Sequence, residues 1–563
     1  MPSSATTVTG YSAPAGFPVL KPWTVLVLFL VMIFAVPLIT VISSVFVPNA
    51  EIWRHLRETV LADYITNSLL LMFGVGVITL LIGVITAWLV TMFRFPGSRQ
   101  FEWALLLPMS IPAYIIAYTY TGVLDVGGPL QIWIREYFGI GYGDYWFPEI
   151  RSLGGAVCML SLVLYPYVYL LTRAAFVEQS VCVLEVSRTL GCGPLRSFYR
   201  IGIALARPAI IVGLSLVLME TLADYGTVQY FGVATFTTGI FRTWFGLGDS
   251  VAAAQLSALM MFFVIILLYL EYHSRHRSRF HHTSTRYRNI RKLPLTGSSA
   301  WLATFVCALP VLLGFIVPLF FLMQWARQTW GIVISEDFFQ LIYNSMVLAS
   351  ITAVVAMILS MVMAYGKRQS GSRTIRLGTR FVGMGYAIPG TVIAVGVLLP
   401  FAWVDRHIDV FFSTRFGINT GLLLSGTLVA LVFAYLVRFM AVSLNTVDAA
   451  LMKVKPSMDE AARSMGMKDL AILKRIHIPM IRGSLLTATL LVFVDVLKEL
   501  PATLILRPFN YNTLAIRTYE LANEERLAEA ACPALAIVLV SIIPVVLLSR
   551  SISRSRPGSH ALG

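Results

Sequence analysis

Twelve long apolar runs constrain this chain more than any other feature. They fall at 22–46, 65–93, 103–123, 154–172, 208–223 and 251–270. They recur at 300–324, 343–365, 381–403, 420–437, 483–498 and 531–549. About 20 apolar residues in a helix cross the roughly 30 Å hydrocarbon layer of a membrane. Only 13% of the 563 residues are charged and the mean hydropathy is +0.78, whereas soluble globular chains carry about 25% charged residues. The pattern predicts an all-α polytopic membrane protein with about twelve transmembrane helices. Residues 1–20 carry no Lys or Arg and the first run is long enough to span, so it is expected to be a retained helix rather than a cleavable signal.

The runs form two sets of six. Asn67-Ser68 recurs as Asn344-Ser345 and Ile111-Pro112 as Ile388-Pro389, both 277 residues on. Further along the spacing is 275, relating Glu220 to Asp495, Asp224 to Glu499 and Arg242 to Arg517. The expected organisation is a first six-helix repeat at 1–271, a basic linker at 272–297 and a second repeat at 298–563. An even number of spans per half makes the repeat parallel, about an axis normal to the membrane. The segment Tyr272–Leu293 holds seven Lys/Arg and no acid. With the N-terminus inside, the inner segments hold 31 of the 43 Lys/Arg and 8 acids, and the outer ones 11 Lys/Arg and 18 acids. That asymmetry places both termini and the linker in the cytoplasm. It also accounts for the net charge of +15 without nucleic acid as a partner.

Between two apolar runs lies a charged, helix-favouring island, Asp459–Pro479. Ala461, Ala462, Met465, Leu470 and Leu473 favour helix. Gly466 can end a helix in a left-handed turn, and Asp469 can cap a second one. The frame reads Glu460-Ala461-Ala462, three residues, Gly466, nine residues, Ile476, one residue, Ile478-Pro479. It returns 275 residues earlier as Glu185-Val186-Ser187, Gly191, Ile201 and Ile203, with Ala204 in the place of Pro479. An amphipathic interfacial helix would explain one copy, but two copies in one frame ask for more.

The frame resembles the EAA loop of binding-protein-dependent ABC importer permeases, here at 182–204 and 457–479. The resemblance implies that each loop is a short cytoplasmic helix docking into an ATP-hydrolysing subunit. The coupling residues would be Glu185, Gly191, Ile201, Glu460, Ala461, Ala462, Gly466, Ile476 and Pro479. The first copy lacks both alanines, which implies an unequal grip. The stretches Met219–Asp249 and Lys498–Asn523, with the fused two-halved layout, are similar to permeases of ferric-iron importers. Related permeases carry thiamine, polyamines, sulfate or phosphonates. The family implies a type I permease fold in the bacterial inner membrane, surrounded by lipid and served by a periplasmic binding protein. Two cytoplasmic ATPase subunits would use ATP and Mg. This chain has no phosphate-binding G-x-x-x-x-G-K-[ST] loop, and it is expected to bind no cofactor and to have no catalytic residues.

Three charges fall within the spans: Glu220, Asp495 and Lys498. Counting up from Arg207 and Arg482 sets Glu220 and Asp495 past the midplane, with Asp224 and Glu499 one turn further on. All four acids are candidates for a cation pathway, since hard cations favour oxygen ligands. The bland alternative is fixed pairing with Lys498, Arg242 and Arg517. The linker histidines His273, His276, His281 and His282 fit a solvated basic loop better than a metal tract. The five cysteines, Cys158, Cys182, Cys192, Cys307 and Cys532, show no paired spacing. An ion-coupled secondary transporter would explain the membrane acids but not the two loops, and a receptor or scaffold would explain neither.

Overall fold

The computed structural model describes residues 22–178, 193–276, 292–370 and 372–554. Among the described residues eleven helices are long and apolar enough to cross a membrane, and a pair bent by 89°, Ser98–Ser110 with Ala113–Phe138, makes a twelfth if taken as one span. The bend corrects the continuous span expected at 103–123. Pro112 has no N–H to donate to a helix and instead stands as the N-cap of Ala113–Leu124. Pro389 does the same for Gly390–Phe416. A second correction moves the span expected at 420–437 to Leu428–Leu451. The residues before it are held as a loop by buried Asp405, whose carboxylate accepts from the backbone N–H groups of Leu423, Leu424 and Ser425 at 2.7–3.2 Å.

Several elements recur at the spacing read from the sequence. Ile203–Ala223 and Ile478–Lys498 are both 21-residue helices. Each is entered through a single widened turn, Phe198–Gly202 and Leu473–His477. The linker re-enters the described structure as a two-residue strand, Leu293–Pro294, parallel to Phe93–Arg94.

Packing, however, crosses the sequence boundary between the halves. The first helix, Pro22–Ser44, lies against the second half, where glycines let backbone approach backbone. A Cβ at Gly396 would meet the Pro37 carbonyl oxygen at 2.5 Å, and one at Gly366 would meet Val27 at 2.5 Å. Phe34 stacks on Phe433 at 6.0 Å, and Trp23 meets the edge of Tyr365 at 5.3 Å. The reciprocal contact is made by Ser298–Val333, which opens the second half and packs on the first. Tyr120 donates to the Leu313 carbonyl at 2.6 Å. Both buried apolar clusters accordingly contain residues from each half.

Candidate coupling loop and transport pathway

The second candidate loop is built on Pro456–Ser464, a nine-residue helix. Pro456 opens it, where a missing N–H costs nothing. Gly466 closes it at φ +79°. The N–H of Met467 reaches the Ala462 carbonyl at 3.0 Å, and that of Gly466 reaches Arg463 at 2.9 Å. This is the Schellman arrangement of a helix end, so the left-handed turn expected at Gly466 is present. Asp469, expected to cap the following helix, instead begins it, and Lys468 is the N-cap. The Asp469 carboxylate turns outward, 3.4 Å from Arg463.

One residue of this helix faces inward as an anchor. Asp459 takes Arg368 Nε at 2.9 Å and His477 Nε2 at 2.6 Å, while Arg368 also donates to the carbonyls of Leu451 and Val454. Burial works to raise the Asp459 carboxyl, but the hydrogen bonds from His477 and Arg368 outweigh it and hold it below the ordinary carboxylate range. Because the folded value is depressed, the stabilisation is complete above the unfolded value of about 3.9 and is lost as pH falls through the folded one. The contribution of the Asp459 carboxyl is therefore constant above about pH 5. Asp459→Ala should cost about 3 kcal/mol, since it strands Arg368 and His477. Limited proteolysis should show cleavage near residue 460 in the variant and none in the native protein.

With Asp459 and Ala462 turned in, Glu460 and Ala461 face out. Around them Met452, Met465 and Leu470 are exposed apolar side chains. Ile476 is half-buried in the widened turn and Pro479 is exposed. In the first loop Ile201 occupies the matching turn and is half-buried, whereas Glu185 and Gly191 lie outside the described residues.

Across the membrane region from the loop, a cavity of about 160 Å³ is lined by Glu220, Asp224, Asp495, Lys498 and Glu499, together with Tyr114 and Arg438. The four acid candidates thus meet, but they are not equivalent. Asp224 lies just past the end of its helix and accepts from the N–H groups of Thr227 and Val228, both at 3.1 Å. Glu499 does the same for Ala502 and Thr503, at 3.0 and 3.1 Å. Each therefore ties down the start of the next short helix. Glu220 and Asp495 face the cavity without such a duty.

Two of the three expected counter-ions, Arg517 and Arg242, need correcting. Arg517 lies near Glu520 at 3.8 Å, and Arg242 is exposed and bonds Tyr64. Lys498 donates to the Met109 carbonyl at 2.9 Å. Lys498 also lines the cavity with Asp495 and Glu220, and the cation missing from the expected set is Arg438, 3.1 Å from Glu499 and 3.7 Å from Glu220. Sequence reasoning missed it because the apolar run was closed at residue 437, one position short. The helix in fact continues through Ser443, Asn445 and Asp448 to Leu451, and an arginine with apolar residues on both sides, Val437 and Phe439 to Val442, is the signal that was available.

A second cavity, of about 500 Å³, lies on the coupling-loop side and reaches Glu271, Tyr272 and Asn445. The two cavities share Met109, Tyr167, Tyr386 and Asp495 as walls. The Tyr167 and Tyr386 hydroxyls meet at 3.4 Å between the halves. Met109 and Tyr386 stand at repeat-related positions, each just before an Ile-Pro break. Among the described residues no group of three His, Cys, Asp or Glu is arranged to hold a metal ion.

Residues 356–557 match the family described as binding-protein-dependent transport system inner membrane component. The Fe(3+)-transport system permease protein FbpB 2 of Haemophilus influenzae is 25% identical over 87% of this chain and 90% of its own length. A probable sulfate transport system permease of Chlorokybus atmophyticus is 27% identical over 37% of this chain and 70% of its own. The molybdenum transport system permease ModB of Escherichia coli is 27% identical over 31% of this chain and 71% of its own.

Proposed function

We propose that this chain, an ABC importer permease of the type I fold, moves ferric iron across the inner membrane. The observation that carries the cargo is the cavity between the halves, where repeat-related Glu220 and Asp495 present carboxylates not committed to backbone N–H groups. Hard trivalent cations favour such oxygen donors. The similarity to the ferric permease over most of both chains supports the same cargo. A periplasmic binding protein would deliver iron to the acidic cavity. Two separate ATPase subunits, using ATP and Mg, would grip the loops around Glu460 and Glu185 on the cytoplasmic side. The coupling set is Glu185, Gly191, Ile201, Glu460, Ala461, Ala462, Gly466, Ile476 and Pro479. The pathway set narrows from four acids to Glu220 and Asp495, with Asp224 and Glu499 as its scaffold.

In this reading closure of the ATPase dimer draws the two loops together. The anchor at Asp459 passes that motion to the helix carrying Arg368, and the halves rock about the tyrosine pair between the cavities. Glu220→Gln with Asp495→Asn should lower ferric uptake at least tenfold while the complex still assembles with its ATPase. Radioactive iron uptake in cells, beside co-purification of the ATPase, checks both parts. Unchanged uptake would remove these acids from the pathway, and loss of assembly would make them structural. Molybdate or sulfate uptake in place of iron would reassign the cargo.

A further inference from the structure

Resting on the ferric reading above, we infer that Arg438 is the resident counter-ion of the pathway: its guanidinium occupies Glu220 between passages, and an arriving hard cation takes Glu220 as Arg438 withdraws onto Glu499. The two contacts of Arg438 differ in length and in kind. The one to Glu499, at 3.1 Å, stays within the second half, and the one to Glu220, at 3.7 Å, crosses to the first. Glu499 is fixed by the backbone groups it ties down, so it is the stationary partner. Glu220 is the partner that can be exchanged.

Among the described residues, two further polar groups at this site lack a hydrogen-bond partner. Arg438 is 7% exposed, yet its Nε has no hydrogen-bond partner. Tyr114 is 6% exposed, lines the same cavity and has an unpartnered hydroxyl. Buried polar atoms are usually satisfied, so an orphaned phenol in a cavity shared with Glu220 and Asp495, whose carboxylates take no backbone N–H, leaves room for a ligand that takes oxygen. At equal distance a trivalent ion attracts Glu220 three times as strongly as a guanidinium does, which makes the exchange favourable for iron and poor for monovalent ions. The exchange also removes the Arg438 ion pair that joins the halves at the cavity, so cargo arrival loosens them there.

The test uses the full complex with its ATPase in lipid nanodiscs and Tb³⁺ as the probe, a hard trivalent ion excited through neighbouring tyrosine rings. Only the Glu220-dependent component of its luminescence is scored. Neutralising the guanidinium together with its fixed partner, R438Q/E499Q, should tighten Tb³⁺ binding at least tenfold, and adding E220Q should abolish that gain. R438K keeps the charge and should stay near wild type. E499Q alone reports folding, because its amide keeps one of the two oxygens that accept from Ala502 and Thr503. No gain in R438Q/E499Q, or a gain that survives E220Q, overturns the assignment. So does loss of molybdate or sulfate binding in R438Q/E499Q, which would make Arg438 an anion ligand. Ferric uptake by wild-type cells, measured in parallel, separates the two levels. If uptake is present and the Tb³⁺ gain absent, only the role of Arg438 falls; if uptake is absent, the ferric function falls with it.

Discussion

Gly466→Val should weaken ATPase binding at least tenfold while leaving membrane insertion intact. Nothing lies within 4 Å of a Cβ built at Gly466, so the substitution meets no neighbour. The cost is conformational. The backbone there sits at φ +79°, where an ordinary side chain costs about 1–2 kcal/mol and a β-branched one more. A valine would pull the residue back to negative φ and break the two hydrogen bonds that close the helix. Glu460 and Ala461 would then lose their placement, and 1.4 kcal/mol is already a factor of ten in affinity. Asparagine tolerates the left-handed turn, so Gly466→Asn should stay near wild type. Pull-down of the ATPase on all three proteins checks the order. Equal yields for glycine and valine would sink the coupling role of this turn.

Gly396→Leu should be more damaging, because it strikes assembly itself. Its Cβ would lie 2.5 Å from the Pro37 carbonyl oxygen and 2.9 Å from the carbonyl carbon. Backbone cannot step aside as a flexible side chain can, so the whole first helix must move. Overpacking of this kind costs about 1–3 kcal/mol, and displacing the helix also loses its contacts with Gly366, Tyr365 and Phe433. The expected result is a fall in the detergent-solution melting temperature and aggregation on size exclusion. Gly331, with nothing within 4 Å, supplies the control, since Gly331→Ala should be neutral or slightly stabilising. A normal elution profile for Gly396→Leu would mean that the first helix does not seat as described.

What was legible in the sequence follows from which forces are local. Apolar runs and the frame around Gly466 act over one or two turns, and both are visible as patterns. The pair Glu220 and Asp495 was visible because a charge in an apolar run stands out. Arg438 was hidden because hydropathy falls off gradually along the helix to Leu451, so an arginine near its middle looked like a flank. The duties of Asp224 and Glu499 were hidden for another reason. They depend on the chain turning immediately after each acid to aim N–H groups back at it, a geometry that spacing alone does not encode. The crossing of the first helix to the far half was out of reach altogether, since glycine at 366 or 396 marks a close approach without naming the partner.

That crossing has a consequence in time. The first helix leaves the ribosome early, but its seat is made by residues near 366 and 396, some 340 to 360 positions later. At about 5–20 residues per second, the helix waits roughly 20 to 70 seconds with lipid as its only neighbour on that face. The helix opening the second half waits less, since part of its seat is already made, although Thr329 still has to meet the Ala528 carbonyl about 200 positions later. The two opening helices thus wait for their seats for different times, and any chain stopped before Gly396 leaves its first helix an orphan for the membrane's quality control to find.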